Sequence, residues 1–146
     1  MAKKLTIKKS NKIALSIMRS AIRSEKLVYI AKANKKIKYK YGMDSYIAYI
    51  GTTKKGANRI ADSAAARAKE LLTKYGVKKL DIFVVTCRAK RNVETWKKLE
   101  TALILTFRGI YGKQPIGNTH GKEKRWADEK RYFTTQALEE VIKFYS

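Results

Sequence analysis

The run KKLDIFVVTCR, residues 78–88, constrains the fold more than any other part of the chain. Its apolar side chains follow one another without polar alternation, the pattern of a short strand buried on both faces. Such a strand needs cover on two sides, and the sequence around it offers helices. Ile60, Ala64, Ala68, Leu71, Leu72 and Tyr75 recur at helical intervals before it, with Asn58 or Ser63 as N-cap and Gly76 as the stop. After it, a helix is expected from an Asn92 cap to about Arg108. A last one covers roughly 134–144, with Ala137, Leu138, Val141, Ile142 and Tyr145 on its apolar side.

The strand's partners come earlier. Tyr46 to Gly51 reads as a strand, entered by the turn YGMDS (41–45) from IKYKY (37–41), which alternates with period two. KLVYIAK (26–32) either extends a helix running from Asn11 to about Glu25 or forms a strand of its own. Val28, Tyr29 and Ile30 favour the strand. The expectation is an α+β domain over residues 26–146, a small central sheet of about three strands (a β-hairpin plus one) flanked by helices. Residues 1–25 form a basic N-terminal arm that is frayed at first and then helical.

Composition narrows the function. At 45% hydrophobic with one proline, the chain can bury a single core and is unlike a disordered segment. Cys87 is the only cysteine, which excludes an internal disulfide framework or a cysteine-based structural zinc site. The sequence has no apolar run near the ~18 residues of a membrane span and no apolar segment behind its basic N-terminus. A protein that is not secreted is expected, cytoplasmic, or nuclear or virion-borne if viral.

The charge points to a partner. Thirty-four Lys and Arg stand against 12 Asp and Glu, a net +22, and 13 of those cations lie in residues 1–42 beside one acid, Glu25. Self-repulsion of that size destabilises a compact chain unless a polyanion offsets it. Nucleic acid, DNA first, is the expected partner, because Lys and Arg on phosphates release condensed counterions. A membrane surface would call for a basic amphipathic helix or a lipidation signal, and none is expected.

One carboxylate breaks the pattern. At ~100° per residue, Trp96, Leu99, Leu103, Phe107 and Ile110 share one helical stripe, and Glu100 falls inside it. A carboxylate on an apolar face must meet a cation, a metal or a watered cleft. The plain alternative is a glutamate at the core's edge paired with Lys or Arg.

With Glu100 placed, four elements stand in order: YIG at Tyr49–Gly51, Arg59 eight residues on, the helix KLETALILTF carrying Glu100, and the PxxN of Pro115 to Asn118. Together they resemble the GIY-YIG endonuclease superfamily over roughly residues 26–118. The resemblance implies a phosphodiester hydrolase, in which Tyr49 helps to activate water, Arg59 steadies the attacked phosphate and Glu100 holds Mg²⁺ or Mn²⁺. The first-motif tyrosine has two candidates. Tyr29 follows Val28 but stands far before Tyr49, and Tyr39 is well spaced but follows Lys38; Tyr29 is preferred, with a long hairpin insertion. The literal GIY at Gly109–Tyr111 comes too late in the chain to be that motif.

The sequence departs from the family again after Arg59, where a histidine or tyrosine often follows. IADSAAARA offers only Asp62, Ser63 or the more distant Arg67. Lys54, Lys55, Asn118 and Lys122 are the expected nucleic-acid contacts. His120 reads as an exposed loop residue, Cys87 as a small buried hydrophobe, and Trp126 as either a base-stacking ring or a dock for the last helix. The other reading is a nucleic-acid-binding module on the same scaffold that does not cut.

Overall fold

The computed structural model describes residues 4–12, 26–53, 66–73, 75–119 and 124–146. Three antiparallel strands, β1 (Leu27–Lys38), β2 (Asp44–Thr53) and β3 (Leu80–Val85), form one sheet in the order β2-β1-β3. Helix α1 is described over residues 66–73, α2 spans Thr95–Tyr111 and α3 spans Thr135–Tyr145. The α+β expectation with a three-stranded sheet holds. Residues 4–12 are exposed chain without helix or strand, and the helix expected to Glu25 lies, beyond Lys12, outside the described residues.

The uncertain hairpin arm resolves as a strand. Val28, Tyr29 and Ile30 put β-favouring side chains on both faces of the central strand, where pairing on each side rewards them. β1 then runs on to Lys38 across a pairing irregularity between Lys32 and Ile37, which absorbs the polar stretch Asn34–Lys36. The turn at Lys40–Gly42 follows, with Tyr41 and Gly42 at positive φ.

Alternation divides the sheet's apolar residues between two faces. Val28, Ile30 and Ile50 meet Leu99, Leu103 and Phe107 of α2 and Leu138 and Ile142 of α3 in the main core. Leu27 and Tyr29 point the other way, where Tyr49, Ile82 and Val84 join them. Tyr39 belongs to the main core: its ring meets Phe107 edge-on at 4.9 Å, and its hydroxyl donates to the Ile47 carbonyl and accepts from the Ile116 N–H. Burial holds the Tyr39 phenol well above its ordinary range.

Several local expectations need correction. β3 is an edge strand, not one buried on both faces: Asp81 and Phe83 are exposed, and Tyr145 of α3 sets its ring 5.2 Å from that of Phe83. An apolar run marks burial only where neighbours suffice to cover both faces, and a three-stranded sheet has two edges. Asn92 does not cap α2; it sits at φ 58 in a turn closed by Lys90 and Val93, and the helix starts at Thr95 after Glu94. α2 also outlasts Arg108 by a turn, so Gly109–Tyr111 is helix, with Tyr111 stacked on Phe107 at 4.5 Å. Leu72 is exposed, and Cys87 is only partly buried.

Trp96 is a core residue as expected, and Trp126 lines the seam between α2 and α3 with Lys130 over its ring. α3 is capped by the Thr134 hydroxyl, which accepts from the Ala137 N–H. Among the described residues no helix is long and apolar enough to cross a membrane.

Candidate active site

Tyr29 and Tyr49 meet because of strand register. Tyr29 pairs with Gly51, and Tyr49, two residues back on β2, points to the same face. The two rings lie 5.7 Å apart, tilted by 40°. Gly51 is the space between them: a Cβ there would come within 2.5 Å of Tyr29 Cζ and 2.6 Å of Tyr49 Cε1. Tyr29 is fully buried, and Tyr49 is the half-exposed member of the pair. Tyr39, the rival candidate, hangs on the opposite side of the sheet in the main core.

Two further side chains complete this corner. Arg67 of α1 lays its guanidinium over the Tyr49 ring, 5.5 Å from the centroid, and its Nη1 donates to the Thr119 hydroxyl at 3.2 Å. Sequence reasoning named Arg67 only as a distant substitute and did not consider Thr119. The usable signal was Leu71, buried one turn beyond Arg67, which turns that face of α1 towards the sheet.

The Pro115–Asn118 segment is sewn to the outer edge of β2. Asn118 Oδ1 accepts from the Ile50 N–H at 3.0 Å, and its Nδ2 donates to the Ile50 carbonyl at 2.8 Å. Pairing slips between Ala31–Tyr49 and Lys32–Ile47, which makes Ala48 the extra residue of a bulge. The Ala48 carbonyl accepts from the Gly117 N–H at 2.7 Å. Gly117 permits that approach, since a Cβ would fall 2.8 Å from the same oxygen. The loop thus covers an edge strand and fixes the strand that carries Tyr49.

Asn118, expected as a nucleic-acid contact, bonds the Ile50 backbone with both ends of its amide and acts here as a positioning residue. Asn118→Ala should lower stability by about 1–3 kcal/mol, read from urea unfolding, because two backbone groups of Ile50 lose their partner.

Glu100 stands on α2 one turn after Trp96, over whose ring Lys26 places its ammonium at 4.9 Å. That contact ties this end of α2 to the start of β1, where Leu27 pairs with Thr53. The Glu100 side chain is 19% exposed, and Lys124 Nζ is 3.9 Å from its Oε1. Burial pushes the carboxyl above its ordinary range, against the pull of Lys124 and Lys97. Among the described residues, Lys124 is the ion-pair partner of Glu100, at the outer limit of such a pair.

No group of three or more His, Cys, Asp or Glu among the described residues is placed to hold a metal. A single carboxylate still suits Mg²⁺, which keeps several waters and takes substrate phosphate. Glu100 fits that role as a largely buried carboxylate whose ion pair with Lys124 is long. Lys54, Lys55, Arg59, His120 and Lys122 lie outside the described residues. The chain matches no protein-family model, no curated protein and no solved structure.

Proposed function

We propose that the protein is a metal-dependent endonuclease that hydrolyses phosphodiester bonds in DNA or structured nucleic acid. The observation that carries this reading is the Tyr29–Tyr49 pair opened by Gly51 and edged by Arg67. It joins phenols and a guanidinium at one corner of a strongly basic protein. Hydrolysis needs an oriented water, charge stabilisation on the non-bridging oxygens and help for the leaving oxygen. Tyr49, half-exposed, orients the attacking water and accepts a hydrogen bond from it. Tyr29 sets the Tyr49 ring. Arg59 steadies the phosphate, a role taken from the family resemblance, and Arg67 adds charge beside Tyr49. Glu100 would hold Mg²⁺ or Mn²⁺, which supplies Lewis-acid stabilisation when bound.

Nicking of supercoiled plasmid in Mg²⁺, set against the same protein in EDTA, tests the reading; equal inertness in both contradicts it. One observation favours a second reading. Lys124 beside Glu100 is the pairing that a merely structural glutamate would have, and the scaffold would then bind nucleic acid without cutting.

Both readings share an electrostatic consequence. Affinity for duplex DNA should fall by orders of magnitude between about 50 and 200 mM salt if several phosphates are engaged. Removing residues 1–12, which carry five of the lysines, should flatten the slope of log affinity against log salt while the fold remains. An unchanged slope would take the arm out of the interface.

A further inference from the structure

A groove of about 480 Å³ opens beside the clamp loop, lined by Lys40, Tyr75, Arg108, Lys113, Gln114 and Asn118 among others. Three of its lining residues are cationic and none is acidic. The volume falls in the range of ligand sites and exceeds what a lone phosphate needs. A second observation concerns Gln114, which is 7% exposed. Its Nε2 donates to the Asn118 carbonyl, which fixes the amide, since the flipped form would set two oxygens against each other. Its Oε1 is the one buried side-chain acceptor among the described residues with no hydrogen-bond donor. Such an atom calls for a donor, N–H or O–H, that the described residues do not supply.

The chemistry of the occupant follows. A phosphodiester would answer the cations but donates nothing to Gln114. A base inside a duplex has its faces stacked on its neighbours, so it has no π face to give Tyr75. An unpaired base offers an N–H for Gln114 Oε1 and a π face for Tyr75, and its phosphates reach Lys40, Lys113 and Arg108. We infer that this groove takes one unpaired nucleotide of the nucleic-acid partner. The inference rests on the nucleic-acid-binding part of the proposed function and gives it a substrate preference for bulged, looped or frayed structure. The lining residues Gln114 and Asn118 belong to the loop that clamps β2 at Ala48 and Ile50, on the strand that also carries Tyr49.

The test compares two fluorescent duplexes of one sequence, one carrying a single unpaired deoxyadenosine, by anisotropy in EDTA with the full chain. Wild type should bind the bulged duplex about tenfold more tightly, within the span of one base stacked on an aromatic ring. Tyr75→Ala should lose the preference. Lys40→Glu, at an exposed position that cannot harm the core, should lose it too. Lys143→Glu, on α3 outside the groove, should weaken both duplexes alike and keep the preference. Equal wild-type affinity, or a preference that survives Tyr75→Ala and Lys40→Glu, overturns the inference. Nicking is scored separately. Discrimination without cutting would sink the nuclease and keep the groove, and cutting without discrimination would do the reverse.

Discussion

The Glu100→Gln protein should fold, melt no lower than wild type at neutral pH, and fail to nick DNA in Mg²⁺. The side chain keeps its size and a polar head but loses the charge that a hard cation needs. Its stability effect follows from the direction of the titration. Burial raises the Glu100 carboxyl above its ordinary 4.5 in the folded protein, so the folded state holds that proton more tightly than the unfolded one. The resulting stabilisation is present below pH 4.5 and is lost as the pH rises through the raised value. Above it, wild type carries a largely buried carboxylate and the glutamine variant does not. The variant's advantage in melting temperature should therefore appear on the alkaline side of that window and vanish below it.

Added Mg²⁺ should raise the melting temperature of wild type at pH 7 and leave Glu100→Gln unmoved, since only the carboxylate binds the ion. A glutamine variant several kcal/mol less stable at neutral pH would instead mark Glu100 as the needed partner of a buried cation. Among the described residues, Lys124, 3.9 Å away and 31% exposed, is the cation that would be left unpaired.

Gly51→Ala should be strongly damaging for a change of one methyl group. The new Cβ would stand 2.5 Å from a ring carbon of Tyr29 and 2.6 Å from one of Tyr49. Tyr29 is fully buried and cannot swing into solvent, so the pair must spread or β2 must shift. Overpacking of this kind typically removes about 1–3 kcal/mol. Because the displaced groups are the candidate reaction centre, nicking should fall about a hundredfold or more while duplex binding persists. A stable and fully active Gly51→Ala would mean that the tyrosine spacing does not matter to the chemistry.

Both positions are visible in the sequence beforehand. Tyr49 and Gly51 were readable because strand alternation and a terminal glycine are local patterns, and the α2 stripe exposed Glu100 by the same logic. The contacts that assemble the corner are not local. Arg67 reaches Thr119 across 52 positions, and Asn118 holds Ile50 across 68, distances over which no periodicity speaks. The bulge at Ala48 was hidden as well, since an extra alanine leaves no mark in an apolar run. β3 misled for the opposite reason: its hydrophobicity was legible, but its place at the sheet edge is a property of the topology.

The central claim is that the tyrosine pair is where phosphodiester bonds are hydrolysed, and Tyr49→Phe tests it most directly. The change removes one hydroxyl and keeps the ring under Arg67 and against Tyr29. Single-turnover cleavage of a labelled duplex in Mg²⁺, with protein in excess and binding measured alongside, reads the chemical step alone. The rate should fall at least about a hundredfold below wild type with duplex affinity unchanged. A Tyr49→Phe protein that cleaves at the wild-type rate would contradict it.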